Sequence, residues 1–265
     1  MTKHFFYLLA LATTVMFTSC LENNNEPKST RTLTTVISCR TINGNNVTFS
    51  QGNATATIDY TGGIISLTAQ YKDADGQSKS LTAPNMQMTA ISNTVYEFVY
   101  SANQSGSTNN ESLSGYIDLA TDMLWYTINK GSTQVVCNSQ LWYVYTNTTI
   151  TNPENGNHGA HQQSTYRFDF DSKGETCTMR ITNFMPNLNN AIEADKIQYN
   201  NLTVTPTVTG YTITAHEVES NYKSLTLTDV NIILNDQCKV INGSFKCNGF
   251  DITISGNLFT PPAIN

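Results

Sequence analysis

The chain has 265 residues, room for two domains, with 39% hydrophobic and only 13% charged residues and a formal net charge of −6. Disordered chains combine low hydrophobicity with high net charge, so this composition points to a folded protein. The acidic balance and the lack of a Lys/Arg cluster argue against nucleic acid as a partner, because phosphates need cationic contacts.

In chain order, Met1-Thr2-Lys3-His4 is a short positive start, and Phe5 to Phe17 is an apolar run interrupted by Thr13 and Thr14. A bilayer-spanning helix needs roughly 20 apolar residues, so the run fits the hydrophobic region of a cleaved signal peptide better. It ends in Phe17-Thr18-Ser19-Cys20. Small residues leading into a cysteine resemble the lipobox of bacterial lipoproteins, with Phe17 in place of the usual leucine. The resemblance implies removal of residues 1–19, diacylglycerol on Cys20, and lipid as the membrane attachment. Residues 20–32 begin Leu21-Glu22-Asn23-Asn24-Asn25-Glu26 after the cysteine and have too little apolar content to bury themselves, so a flexible tether is expected. Acidic residues close behind the lipidated cysteine are similar to the surface-export signal of Bacteroidetes-type lipoproteins. The implied location is the outer membrane, on the cell surface or the periplasmic face.

From Leu33 the chain reads as short strands between turn residues, among them Thr55–Tyr60, Val95–Tyr100, Tyr166–Phe170 and Asp251–Ile254. Period-two alternation with regular turn clusters predicts an all-β body. The best helix candidate, Asn189–Lys196, spans about two turns and reads equally well as a loop. Thr149–Ser164 is rich in Asn, Gly, Gln and His, and is read as a linker between domains at 33–148 and 165–265. The fold expected is two tandem β-sandwich or calycin-like barrel domains.

The halves resemble each other at offsets of about 110 to 115 residues, so an internal duplication stands beside two unrelated domains. Thr57–Tyr60 matches Arg167–Phe170, Leu113–Tyr116 matches Leu227–Val230, and Thr121-Asp122 matches Asn235-Asp236. Cys137-Asn138-Ser139 recurs as Cys247-Asn248-Gly249, each expected to lead into the last strand of its half.

Besides Cys20, five cysteines remain at 39, 137, 177, 238 and 247. Asn242-Gly243 favours a type I′ hairpin turn, and centring the turn there opposes Cys238 with Cys247 at a separation of roughly 4.5 Å between Cα atoms. A Cys238–Cys247 disulfide is therefore expected. The pairing of Cys39, Cys137 and Cys177 stays open, a Cys39–Cys137 bridge with Cys177 free being one arrangement.

No catalytic constellation, cofactor fingerprint or metal set emerges, so no enzyme, cofactor or metal is expected. His158 and His161 lie in the presumed linker, and zinc wants three or four ligands. Asp73-Ala74-Asp75-Gly76 reads as an Asp-Gly turn in preference to a calcium loop. Aromatics concentrate late in the first half. Trp125, Trp142, Tyr143 and Tyr145 form a candidate ligand platform, since exposed aromatic rows stack on sugar rings, while core packing is the other reading.

Three functional readings follow. The first is a non-enzymatic surface or periplasmic binding lipoprotein for a glycan or other nutrient. The second is a structural or adhesive subunit, because two β-domains on a lipid anchor resemble the layout of pilus-type subunits, with an envelope protein as partner. The third is a calycin-like barrel enclosing a small apolar ligand.

Overall fold

The structure, a computed structural model, describes residues 30–101, 111–139, 141–161, 164–189, 192, 197–222, 225–236 and 240–257, with backbone alone for 141–146. Its secondary structure consists of β-strands, with no helix among the described residues. The helix candidate at 189–196 lies almost wholly outside those residues; Ile192 makes a bridge to Phe184.

The first eight strands are β1 (Thr30–Asn43), β2 (Asn46–Asp59), β3 (Ile64–Lys72), β4 (Ser78–Ala90), β5 (Val95–Ser101), β6 (Glu111–Asp118), β7 (Met123–Lys130) and β8 (Thr133–Asn138). Each pairs antiparallel with the next, and β1 pairs with β8, closing an up-and-down barrel in place of a sandwich. Strand β3 shows how sequence builds the wall. Ile65, Leu67, Ala69 and Tyr71 are buried and their neighbours are not, so period-two alternation sends one set inward. Small Ala54, Ala56 and Ala83 sit among larger Ile58, Phe98, Leu113 and Tyr126, and all are 1% exposed or less. An eight-stranded barrel is just wide enough for its own side chains to fill.

The second unit contains β9 (Leu141–Thr151), β10 (His158–His161), β11 (Thr165–Phe170), β12 (Thr176–Thr182), β13 (Ile197–Thr207), β14 (Gly210–Glu219), β15 (Thr226–Asn235), β16 (Val240–Cys247) and β17 (Phe250–Asn257). Strand β9 pairs with β11 through Leu141–Val144 and with β17 between Val144 and Thr151. Strands β9 and β11–β17 therefore run round in a second ring of eight, with β10 as a short flap on β9.

Two sequence boundaries need correction. The break between units falls between β8, which ends at Asn138, and β9, which begins at Leu141, not at 149–164. The presumed linker contains the end of β9, an Asn/Gly turn and β10, and polar composition hid four-residue pairings such as His158↔Thr151. The presumed tether also ends early, since Thr30, Arg31 and Thr32 already pair with Asp59, Ile58 and Thr57. Of the matched segments, β2 and β11 are both second in their rings, and β6 and β15 are both sixth. The cysteine match fails, because Cys137 lies in the eighth strand of its ring and Cys247 in the seventh.

One end of the second ring packs against the outer wall of the first barrel. In β1, four consecutive residues, Cys39 to Ile42, are buried, which a one-sided strand does not allow. Cys39 faces the barrel interior with Ile37, while Ile42 joins Met123, Trp125 and Val136 in an apolar cluster with the second unit. Phe49 of β2 meets Phe170 edge-on at 6.4 Å, and Phe170 stacks on Tyr211 at 4.5 Å. Within this apolar contact, Arg40 is fully buried and pairs with Asp236, itself 3% exposed. Arg40 also donates to the Thr207 carbonyl and lies 4.9 Å over the Tyr211 ring. Gly174, at φ +69, leaves the space that the Phe49 ring fills; a Cβ there would stand 2.3 Å from that ring.

Removing one member of a buried ion pair leaves the other charged, buried and unpaired. Arg40→Ala is expected to lower the free energy of unfolding by about 3–5 kcal/mol in a urea titration. A loss under about 1 kcal/mol, the worth of an exposed pair, would show that the guanidinium is not sealed at this interface.

Candidate functional site: a polar cleft where the two rings meet

Where β1, β2 and β8 of the first barrel approach β11 of the second ring, a cleft of about 350 Å³ remains. Strand β1 contributes Thr34, Thr35 and Ser38, β2 contributes Gln51, and the end of β8 contributes Asn138 and Ser139. Phe168, Asp169 and Phe170 of β11 form the opposite side. The pairing register accounts for this convergence: Ser38 stands opposite both Gln51 and Asn138, so three neighbouring strands present hydroxyl and amide groups at one level. On β11, Tyr166 and Phe168 turn into the second core, which leaves Asp169 outside it.

Asp169 is held on two sides. Its Oδ1 accepts from Arg167 Nε at 2.8 Å, and its Oδ2 accepts from Arg180 of β12. Arg180 Nε also donates to Gln198 at 3.1 Å, and Gln198 donates to Asn200 at 2.7 Å, so a polar row crosses β11, β12 and β13. Burial lowers the pKa of both guanidiniums, and at Arg180 the neighbouring Arg167 adds to the effect. Both stay charged at any physiological pH.

Asn138 is the most deeply buried polar group of the lining, 1% exposed, and neither its Oδ1 nor its Nδ2 has a hydrogen-bond partner among the described residues. An unpaired buried polar group costs about 1–3 kcal/mol. An incoming hydroxyl, which both donates and accepts, satisfies such an amide once the side chain turns toward the cleft. With hydroxyls, amides and one ion-paired carboxylate, the cleft can hold a neutral polyhydroxylated ligand by hydrogen bonds. A second groove of about 370 Å³ lies on the other side of Gln51, between β2, β3 and β4, lined by Gln70, Lys72 and Lys79 among others.

The sequence-predicted platform does not assemble as expected. Trp125 is 4% exposed and packed in the apolar contact between the units, so it is core and not a ligand surface. Its strand β7 is buried on both faces, Met123 and Trp125 outward and Leu124 and Tyr126 inward, which alternation alone does not reveal. The backbone register sets Trp142 opposite Arg167 and Tyr143 opposite Tyr166. The side chains of Trp142, Tyr143 and Tyr145 lie outside the described residues, as does Cys20.

The hairpin expected at Asn242-Gly243 is also overturned. Both residues lie inside the continuous strand β16, opposite Ile233 and Ile232 of β15. The turn falls instead at the next Asn-Gly pair, Asn248 (φ 50) and Gly249 (φ 83), where both residues take the left-handed conformation that this turn needs. Cys247 is a buried free thiol that burial pushes up to about 12, and Cys238 lies outside the described residues. His158 and His161 are three apart on β10, which puts them on opposite faces; His161 Nε2 is 3.0 Å from the Asn183 carbonyl. Asp73 caps the turn it starts, accepting from the Asp75 and Gln77 amides and pairing with Lys79. The residues that sequence reasoning missed are Asn138, Asp169 and Arg180 as a group. The Cys-Asn-Ser segment was visible, but nothing in it signals burial.

No family model and no curated protein matches the chain. Among solved structures, the chain is similar to a Bacteroides fragilis protein provisionally assigned to the outer membrane, at 13% identity and a TM-score of 0.35, with 85% of this chain and 97% of that one covered.

The placement of Trp125 has a measurable consequence. Trp125→Ala removes a large side chain from the contact between units and is expected to cost about 3–5 kcal/mol of stability by chemical denaturation. A variant as stable as the parent chain, with a loss confined to ligand binding, would return Trp125 to the surface.

Proposed function

We propose that the chain is a non-enzymatic, lipid-anchored protein of the outer membrane, on its surface or periplasmic face, that binds a neutral glycan in the cleft between its two rings. The observation that carries this reading is the buried, unpartnered amide of Asn138 in a lining of Ser38, Thr35, Gln51 and Asp169. Sugars offer vicinal hydroxyls, each both donor and acceptor, which suit amide and carboxylate partners fixed on strands. The anchoring half of the proposal rests on residues 1–29 of the sequence. From Cys20 to the first paired residue, Thr30, the chain reaches at most about 35 Å, enough to hold the body clear of lipid headgroups.

For an enclosed apolar ligand, the described core residues of the two rings leave no space beside them. Ala56, Ile65, Leu113, Leu124, Ile181, Ile197, Ile232 and Ile252 are all 0% exposed, so no water-sized void adjoins them. The adhesive reading needs an acceptor groove or a displaceable edge strand; among the described residues both rings are closed by pairing, and the four-residue β10 holds a single partner strand.

Two experiments check the two halves. Titration calorimetry of the full chain against a panel of neutral oligosaccharides should find a binder whose affinity falls at least about tenfold in Asn138→Leu, the equivalent of one good hydrogen-bonded contact. The same substitution should leave the unfolding midpoint unchanged or higher, because it removes an unsatisfied polar group. Unchanged affinity in Asn138→Leu would refute the cleft. For the anchor, a clickable palmitate analogue should label the chain in a bacterial host and fail to label Cys20→Ala; equal labelling of both chains rules out Cys20 as the lipid site.

A further inference from the structure

Cys39 and Cys137 are 98 residues apart in sequence and directly opposite each other on β1 and β8, the first and last strands of the first barrel. Both are 0% exposed, and their Sγ atoms stand 3.1 Å apart. Opposed residues of an antiparallel pair have Cα atoms roughly 4.5 or 5.5 Å apart, depending on the pair type. Both separations fall within the ~4.4–6.8 Å that a disulfide spans. The other described thiols are not so placed. Cys177 is on β12 and Cys247 on β16, each buried in the second ring.

We infer that Cys39 and Cys137 form a disulfide that closes the seam of the first barrel covalently. The chemistry is thiol–disulfide exchange with an oxidised dithiol protein of the cell envelope. One cysteine, as thiolate, attacks a sulfur of the donor disulfide and forms a mixed disulfide. The second cysteine, also deprotonated, displaces the donor, so the Cys39–Cys137 bond forms as the donor leaves reduced by two electrons and carrying two protons. For its oxidant the inference rests on the export reading above. Burial shields both sulfurs in the finished barrel and holds the Cys137 thiol well above its ordinary range, so exchange belongs to folding, before β1 closes on β8. The crosslink sits next to the Ser38↔Asn138 and Arg40↔Val136 pairs, and so fixes the spacing of the two strands that carry the cleft and the buried guanidinium.

The test is a non-reducing peptide map of the full chain, produced with its leader in a Gram-negative host and alkylated with N-ethylmaleimide during lysis in denaturant, so that buried free thiols also react. The mass of the N-terminal peptide reports separately whether the leader was removed. The expected result is a removed leader and a linked peptide pair containing Cys39 and Cys137, with the unfolding midpoint falling when dithiothreitol is added and no such fall in Cys39→Ala/Cys137→Ala. A removed leader with both thiols alkylated overturns the inference and leaves the export reading standing. If the leader is retained, the export reading fails, and the purified chain is refolded in a glutathione redox buffer. The Cys39–Cys137 link forming there upholds the inference, and both thiols remaining free overturns it.

Discussion

Arg40 is a full positive charge with no exposed surface, on the outer wall of one barrel, and the second ring exists in its observed place because that charge must be answered. Moving a guanidinium out of water costs several kcal/mol, recovered here by Asp236, the Thr207 carbonyl and the face of Tyr211, all supplied by the second unit. Apolar burial through Ile42, Val136, Phe49 and Phe170 drives the two units together, but burial has no direction. The guanidinium fork has direction, and it accepts partners in one plane and at set angles. The Arg40 interaction therefore fixes how the second ring sits, and the cleft beside it inherits its shape.

The same contact explains why parts of the sequence were legible and others were not. Strand type, turn type and the Asp73 cap are local, written in alternation and in Gly/Asn/Asp chemistry, and the segments Val95–Tyr100 and Asp251–Ile254 fall within β5 and β17. Ring closure is not local, because the β1–β8 and β9–β17 pairings join residues a hundred positions apart. Trp125 reads as a surface aromatic only while the outward face of β7 is assumed wet, and the second unit covers that face. The two Asn-Gly pairs at 242 and 248 are equivalent as local signals. Cross-strand pairing with β15 and β17 keeps the first extended and leaves the second to turn.

The cleft was the least legible part. Ser38, Gln51 and Asn138 are unremarkable polar residues in sequence, and they become a site because the register of three strands brings them level and the second ring roofs them. In sequence Asp169 alternates with Phe168 and Phe170 as an ordinary outward strand residue would, whereas Arg167 and Arg180 hold it at the cleft edge. Fixed polar groups on paired strands lose little conformational freedom on binding, which favours recognition of a flexible, hydroxyl-rich ligand. If the cleft binds as proposed, the barrels are scaffolds and recognition sits on the line where they touch.

If the Arg40 contact joins the rings into one body, they must melt together. Differential scanning calorimetry of the full chain is predicted to give one endotherm with a calorimetric-to-van't Hoff enthalpy ratio of about 1. Two resolved endotherms, each with the enthalpy of a single ring, would show two independent domains and contradict the account.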